Sequence, residues 1–313
     1  VGIMLWMKPE ENGVWEGEKT VEPGIGQVVL TLGDGESMPL KRDTNRLIFG
    51  GTMLQVRNER GTLVYSRIKS KEASEKIVYN TLTVPVRERF QLVLADGTKV
   101  FLNSGSEMRY PERFGKARRE VFLKGEAWFE VAKDSAREFW VHAGAMDVKV
   151  LGTSFNVKAY ERLETVATTL VEGSVEVACA GKSFQIVPGE QFVYDKNNRV
   201  MDVRMVDTES YVSWKDGYYK FRQTTLEEIM ETLSVWYGLN VFYVNESAKQ
   251  VEFTGKVKRY EDARMLLDKF EQTGDVVFDI KGNNVFITIK QKKPFAREWN
   301  SFLVKARGMV WQS

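Results

Sequence analysis

The chain has 313 residues, and 45 Lys and Arg stand against 43 Asp and Glu, which gives a formal net charge of +2. A chain of this length buries roughly three quarters of its unfolded surface and needs no disulfide or metal to hold a core. The near-neutral charge argues against a dedicated nucleic-acid binder, which carries a concentrated basic surface. One cysteine excludes an internal disulfide, and one histidine leaves little for metal or acid–base chemistry.

The N-terminal segment, residues 1–26, opens on the apolar run of residues 1–7. This run is far shorter than the ~20 residues of a membrane-spanning helix. It also lacks the charged region and cleavage site of a signal peptide. Two interpretations stay open: a buried first strand or expression remnant, and the outer end of a transmembrane helix cut off upstream.

Residues 27–208 show a period-two alternation interrupted by turn signals every ~8 to 12 residues. The hairpin signal Asp96-Gly97 has an earlier copy, Asp34-Gly35, at an offset of 62 residues. Lys124-Gly125 is expected to separate a strand at 121–123 from another at 127–131. The pattern predicts an all-β domain, either a sandwich or a solenoid-like stack of short antiparallel strands.

Residues 209–291 change to a helical period. Thr225 and Glu228 form a capping box before a helix that ends at Gly238, and a second helix over 263–270 ends at Gly274. Each helix leads into a strand, so residues 217–290 are predicted to be duplicated strand–helix–strand units in a small α+β domain.

The first strand of this domain alternates in its burial. Tyr219 and Phe221 are expected to point into the small core, whereas Tyr218 and Lys220 point outward. Exposed strand edges and outward side chains are where a protein partner adds to a small sheet. Tyr218 and Lys220 are therefore the candidate partner-binding residues, and an ordinary surface tyrosine is the alternative.

Residues 292–313 form a basic aromatic tail, with five Lys or Arg against one Glu. Two interpretations stay open for it: a segment that lies on a membrane or partner surface, and a packed or frayed terminal extension.

The chain offers no convincing catalytic, cofactor or metal site, so it is predicted not to be an enzyme. His142 lies on a strand-like run typical of a structural histidine. Glu126 and Glu130 are four residues apart, or ~13 Å on an extended strand, whereas paired glycosidase carboxylates lie ~5 to 9.5 Å apart. Cys179 has no basic neighbour to lower its pKa and is expected to be structural.

A competing hypothesis is a carbohydrate- or cell-wall-binding β module with an appended adaptor domain. Its aromatic platform would consist of Tyr110, Trp128, Trp140 and Tyr160. A hydrolase on a β scaffold is a third class, and it lacks a credible base.

Seven short motifs occur in order along the β region: Tyr79-Asn80-Thr81-Leu82, residues 92–103 around Asp96-Gly97, Tyr110-Pro111, Gly125-Glu126-Ala127-Trp128-Phe129-Glu130-Val131, residues 150–157, Leu170-Val171-Glu172-Gly173-Ser174-Val175 and Pro188-Gly189-Glu190-Gln191. In these motifs the chain resembles the periplasmic part of the FecR family of transmembrane anti-sigma regulators, in its Bacteroidetes form. The C-terminal duplication resembles the STN type of small domain.

The resemblance implies a function in signalling. Its expected partner is the signalling domain of a TonB-dependent outer-membrane receptor, and the regulated protein is an extracytoplasmic-function sigma factor. It further implies a periplasmic location, with an inner-membrane anchor upstream and a cytoplasmic sigma-binding segment that this sequence does not contain. No cofactor and no nucleic acid is expected.

Overall fold

The computed structural model describes residues 26–40, 46–50, 54–59, 62–67, 77–259, 263–272 and 275–290. Residues 1–25 of the predicted N-terminal segment and the predicted tail at 292–313 lie outside these ranges. The described residues fall into two compact units. The first runs to Lys220 and includes Val235–Tyr237, and the second comprises Phe221–Ser234 and the residues from Gly238 onward. The domain boundaries at 208/209 and 291/292 stay predictions.

The first unit is built from short strands, as the alternation predicts, and the fold class of a β region followed by a small α+β region is confirmed. Its strands are β1 (Val28–Thr31), β2 (Ser37–Leu40), β3 (Arg46–Gly50), β4 (Leu54–Glu59), β5 (Thr62–Arg67), β6 (Tyr79–Val84), β7 (Phe90–Val93), β8 (Lys99–Leu102), β9 (Ser106–Pro111), β10 (Arg119–Glu130), β11 (Phe139–Ala143), β12 (Met146–Val150), β13 (Ser154–Ala159), β14 (Thr165–Glu172), β15 (Val175–Cys179), β16 (Lys182–Ile186), β17 (Glu190–Asp195) and β18 (Val200–Met205). A short helix α1 (Thr208–Val212) and a 3-10 helix (Ser213–Asp216) end the unit; the sequence analysis did not predict them.

These strands form two sheets that share β10. The first sheet has the order β2-β1-β6-β9-β10-β11-β12-β15-β16. The second has the order β3-β4-β5-β7-β8-β10-β13-β14-β17-β18. Nearly all neighbours are antiparallel, and the exceptions among the described strands of these two sheets are the parallel pairs β10–β11 and β5–β7.

Successive hairpins alternate between the two sheets. Hairpin β11–β12 lies in the first sheet, β13–β14 in the second, β15–β16 in the first and β17–β18 in the second. One continuous core of buried aliphatic and aromatic side chains takes residues from both sheets, including Val148 of the first and Phe155 of the second. The first unit is therefore a two-sheet sandwich built from successive hairpins. It has features of both predicted alternatives, the sandwich and the stack of short strands.

Strand β10 corrects the prediction of two separate strands at 121–123 and 127–131. It is continuous through Gly125, which has a φ of 102°. A Cβ at this position would lie 2.7 Å from the Cα of Ser106. Glycine therefore permits both the left-handed backbone and the close approach of β9, and the bend carries the strand from the first sheet into the second.

The predicted hairpin repeat is confirmed in atomic detail. In each turn the glycine N–H donates to the carbonyl three residues earlier, at 2.9 Å for both Gly35 and Gly97. Each aspartate carboxylate accepts the N–H two residues on, at 3.0 Å, and the two glycines have φ values of 88° and 87°. The copies lie in different sheets, since β1–β2 belongs to the first and β7–β8 to the second.

The second unit contains most of the duplicated strand–helix–strand pattern. Its elements, with β19 beginning in the first unit and α2 ending in it, are β19 (Tyr218–Thr225), α2 (Leu226–Tyr237), β20 (Asn240–Tyr243), a 3-10 helix (Glu246–Gln250), β21 (Glu252–Lys258), α3 (Ala263–Glu271), β22 (Val276–Lys281) and β23 (Asn284–Ile289). Strand β19 pairs with β21, and β23 lies between β20 and β22.

Both predicted helices form on the predicted faces. The Thr225 hydroxyl accepts the Glu228 N–H at 3.3 Å, and Gly238 ends α2 with a φ of 69°. In α3 the predicted apolar positions are all buried: Ala263, Leu266, Leu267 and Phe270. The predicted stop at Gly274 lies outside the described residues, and the described helix ends at Glu271.

Candidate partner-binding site

The segment before β19 positions the two predicted partner-binding residues. Helix α1 begins after Asp207, whose carboxylate accepts the Glu209 N–H at 3.2 Å. After the 3-10 helix, Gly217 takes a left-handed φ of 85° and turns the chain into β19. Tyr218 and Lys220 therefore lie at the start of a strand that returns past the first turn of α1.

Tyr218 and Lys220 are brought together on one carboxylate. The Tyr218 hydroxyl donates to Glu209 Oε1 at 3.0 Å, and Lys220 Nζ donates to Glu209 Oε2 at 2.5 Å. Lys220 also binds Asp207 Oδ2 at 2.9 Å. The hydrogen bonds with Glu209 and Asp207 raise the pKa of Lys220, so its ammonium is held in one place and stays charged.

This cluster of Asp207, Glu209, Tyr218 and Lys220 is half-exposed and polar. The Lys220 side chain is 29% exposed and that of Glu209 is 45% exposed. A partner would therefore meet a fixed carboxylate with a phenol and an ammonium behind it. Such a surface suits hydrogen bonding across an interface, and the partner-binding assignment of Tyr218 and Lys220 stays a prediction.

Tyr219 and Phe221 are both buried, but only Phe221 lies in the small core as predicted, and the prediction for Tyr219 is wrong. Phe221 is 7% exposed, and its ring centroid lies 6.0 Å from that of Phe270 in the second unit's core. Tyr219 is 3% exposed and groups with the first unit.

Behind the 3-10 helix lies a buried hydrogen-bond chain that sequence reasoning missed. Trp214 Nε1 donates to Asn156 Oδ1 at 3.2 Å, and Asn156 Nδ2 donates to Glu126 Oε1 at 2.9 Å. Asn103 Nδ2 donates to Glu126 Oε2 at 2.7 Å. The chain ties the 3-10 helix to β13, β10 and the turn after β8.

A second layer of the same cluster is buried beside Glu126. The Tyr160 hydroxyl donates to the Ser104 carbonyl at 2.7 Å, and the Ser106 hydroxyl donates to the Glu126 carbonyl at 3.1 Å. Burial, and then the Glu126 carboxylate, raise the pKa of Tyr160 well above its usual range, so this phenol stays neutral. Each of these groups forms a structural hydrogen bond within the first unit.

A buried arginine links the loops at one end of β10. Arg119 donates to Asp96 Oδ2 at 2.9 Å, to the Ala132 carbonyl at 2.8 Å and to the Arg137 carbonyl at 2.8 Å. Its side chain is fully buried against the ring of Phe139, 5.4 Å from the centroid. A sequence signal exists, since Arg119 lies in phase with the inward-facing Val121 and Leu123.

The residues weighed for catalysis have structural partners. His142 Nδ1 lies 2.7 Å from Asp147 Oδ1, and its ring stacks on Phe122 with centroids 4.8 Å apart. Burial raises the pKa of the Cys179 thiol, which makes it a poor nucleophile. In the part of the chain that the structure describes, no group of three or more His, Cys, Asp or Glu is arranged to hold a metal ion.

The aromatic platform of the competing carbohydrate-binding hypothesis is wrong. Tyr110, Trp128 and Tyr160 are 0%, 4% and 6% exposed, so three of its four rings belong to the interior. Only Trp140 of this set reaches the surface, and it lies beneath the ammonium of Lys149.

Among the described residues, no helix has the length and apolar character needed to cross a membrane.

Two family models match the chain, one for each part of the fold. Residues 80–176 match the model described as FecR protein, and residues 218–287 match the model described as FecR, C-terminal. Together the two matches cover more than half of the chain. None of the curated proteins matches it.

Two crystal structures are similar to the chain. Each is of a candidate anti-sigma factor from Parabacteroides distasonis ATCC 8503, one at 1.65 Å and the other at 2.50 Å resolution. The first has a TM-score of 0.62 at 27% identity, and the alignment covers 67% of this chain and 99% of that chain. The second has the same score and identity, with 68% and 100% covered.

Proposed function

The chain belongs to the FecR family of regulators, and from this membership we propose that it is the sensing and relaying part of an anti-sigma regulator. Its partner in this proposal is the signalling domain of a TonB-dependent outer-membrane receptor. Contact with that domain changes how the regulator binds an extracytoplasmic-function sigma factor.

The observation that carries the proposal is the pair of family matches in the expected order. The FecR match lies in the first unit, and the C-terminal match begins at Tyr218, the first residue of β19. Similar solved structures are described as candidate anti-sigma factors, which supports the same class of function.

The proposal also places the chain in the cell. A periplasmic location would bring it within reach of an outer-membrane receptor, and a transmembrane helix upstream would tether it to the inner membrane. A cytoplasmic segment of the whole protein would then hold the sigma factor. In this arrangement the small C-terminal unit is an STN-like domain.

The structure suits a relay that acts by contact. The first unit is a two-sheet sandwich with one continuous core, which makes it a stiff support. The cluster of Asp207, Glu209, Tyr218 and Lys220 presents fixed hydrogen-bonding groups at its surface. A signal relay must also release its partner, so an interface below ~1,200 Å² is expected.

Calorimetry tests the proposal directly. The whole chain is titrated with the periplasmic signalling domain of a TonB-dependent receptor encoded beside it. We expect saturable heat with a Kd of about 1 to 100 μM. Absence of heat with both proteins folded would contradict the proposed partner.

Variants of the predicted site refine this test. Tyr218→Phe removes only the hydroxyl that donates to Glu209, and Lys220→Met removes the ammonium but keeps most of the stem. We expect each to weaken binding about 3- to 30-fold, as loss of one interfacial hydrogen bond does. Lys182→Met, on the exposed start of β16, is the matched control and should leave the Kd unchanged.

A further inference from the structure

Strand β20 is an edge of the small three-stranded sheet. Among the described residues it pairs with β23 alone. Asn240 N–H donates to the Asn283 carbonyl at 2.8 Å, and Val244 N–H donates to the Ile287 carbonyl at 2.9 Å. Because successive residues of a strand direct their amides to opposite sides, those of Val241 and Tyr243 face away from β23.

The side chains beside this edge are apolar and exposed. Phe242 is 47% exposed and Val244 is 62% exposed. The Phe242 ring stacks on Phe286 of β23, with centroids 5.1 Å apart and an interplanar angle of 19°.

The opposite edge of the same sheet is protected by charge. Strand β22 carries Asp279 and Lys281, which form an ion pair at 3.0 Å with side chains 58% and 70% exposed. Charged residues of this kind discourage edge-to-edge pairing. The residues of β20, Asn240–Tyr243, include no charge and no proline.

Two acidic side chains lie near Tyr243 on the other face of β20. Lys249 Nζ lies 5.3 Å from the centroid of the Tyr243 ring, and it binds Glu246 at 2.8 Å and Glu227 at 3.5 Å. Burial raises the pKa of Tyr243, and so do the negative charges of Glu227, Glu231 and Glu246. Glu227 and Glu246 therefore share the single ammonium of Lys249 beside the Tyr243 ring.

We propose that the outer edge of β20 binds an extended segment of a partner protein in which basic and apolar residues alternate. The backbone of that segment would bond the free amides and carbonyls of Val241 and Tyr243, which is strand addition. Its apolar side chains would lie beside Phe242 and Val244, and its Lys or Arg side chains would face the carboxylates of Glu227 and Glu246. The inference rests on the proposed function in taking a protein as the partner.

The test uses the whole chain and a defined probe, the capped peptide Lys-Val-Lys-Val-Lys-Val. Amide hydrogen exchange is followed residue by residue with and without the peptide. We expect exchange at Val241 and Tyr243 to slow by about tenfold or more, with no change along β22. A peptide of the same sequence with every backbone nitrogen N-methylated keeps the charge but cannot donate those bonds in either strand direction, and it should give no protection.

Two further outcomes overturn the inference. Equal protection by the N-methylated peptide would show attraction by charge alone, and equal protection by Glu-Val-Glu-Val-Glu-Val would remove the role of the carboxylates.

A pair of variants separates this inference from the proposed function. Val241→Pro removes an outward N–H and blocks an added strand, whereas Val241→Ala loses similar packing and keeps the N–H. Both should unfold at similar temperatures, and only the proline variant should lose peptide protection. If the receptor domain binds the wild type and Val241→Pro equally, the proposed function stands and the β20 edge is excluded as its site.

Discussion

Arg119 shows how one buried charge can hold several loops of a β structure. Its guanidinium donates hydrogen bonds to the Asp96 carboxylate and to the carbonyls of Ala132 and Arg137, and no part of its side chain is exposed. Removing one partner of a buried ion pair leaves the other charge without compensation, and that costs more than the pair contributes.

We predict that Arg119→Met destabilises the protein by about 3 to 5 kcal/mol. The substitution keeps much of the apolar stem but leaves the Asp96 carboxylate and two carbonyls without their donor. The free energy of unfolding in urea measures the effect. The neighbour Arg118 is the control, because its side chain is 56% exposed and its replacement by Met should cost less than ~1 kcal/mol. Equal losses for the two variants would contradict the assignment.

The pair of Lys149 and Glu176 gives a pH prediction. Hydrogen bonds from Lys149, and then from Ser183, lower the pKa of Glu176, and the pair is 2.5 Å apart. A lowered folded pKa means that the ionised form stabilises the fold. This contribution is present above pH ~4.3 and is lost as the pH falls through the lowered pKa.

Carboxyl NMR titration of the whole chain checks this prediction. Lys149→Met should raise the pKa of Glu176 toward its ordinary value, while Lys182→Met on the neighbouring strand should leave it in place. A Glu176 titration unaffected by Lys149→Met would show that the ion pair does not form in solution.

Among the elements, β10 matters most because both sheets depend on it. Gly125 makes that possible, since its φ is 102° and a Cβ would meet the Ser106 backbone at 2.7 Å. We predict that Gly125→Ala costs about 3 kcal/mol or more, from left-handed strain together with the clash. Thermal or urea unfolding measures the loss.

Gly97→Ala is the matched control for this prediction. Gly97 has a similar φ of 87°, but a Cβ there would have nothing within 4 Å. Gly97→Ala should lower the free energy of unfolding by about 1 to 2 kcal/mol, because only the left-handed backbone conformation is strained. A loss at Gly125 no larger than that at Gly97 would contradict the close-approach explanation.

The 3-10 helix before β19 is held by the Trp214 indole. We predict that Trp214→Phe destabilises the protein by about 1 to 3 kcal/mol, because Asn156 Oδ1 loses its buried donor. Trp140→Phe is the control, since the Trp140 Nε1 bonds Glu138 at an exposed position. The free energy of unfolding in urea is measured for both variants. An equal loss of stability in the two would contradict the assigned role of the Trp214 indole.

At this scale the sequence predicted what depends on near neighbours. Thr225 marks the start of α2 and Gly238 its end, and the two Asp-Gly turns predicted equivalent hairpins. Contacts between residues that are distant in the chain could not be predicted from the sequence. Trp214 lies in a 3-10 helix that was not predicted, and Asn156 is buried out of phase between Phe155 and Val157, so no local pattern showed that two residues 58 positions apart share a hydrogen bond.

The candidate site shows the same limit. Outward placement of Tyr218 and Lys220 follows from the alternation of one strand, and both residues are indeed partly exposed. Their common attachment to Glu209 requires helix α1, which has only five residues, none of them buried, and so gives no helical periodicity to detect. The continuity of β10 was missed for a related reason, because a glycine marks a turn and a bend equally well.

At the scale of the whole molecule, the features of both units fit the proposal that the protein works through contact with a partner. The first unit has a continuous core, and His142 and Glu126, both considered for catalysis, are engaged in structural hydrogen bonds. The second unit presents an open strand edge with exposed aromatic and acidic neighbours. These features suit a reversible protein interface.

The most direct test compares binding of the receptor's signalling domain to three proteins: the whole chain, residues 209–291 and residues 27–208. Circular dichroism and cooperative unfolding first establish that each fragment is folded. We predict that residues 209–291 bind with a Kd within about threefold of that of the whole chain, and that residues 27–208 give no heat. Binding by the folded β region alone, or by neither fragment while the whole chain binds, would contradict a relay through residues 209–291.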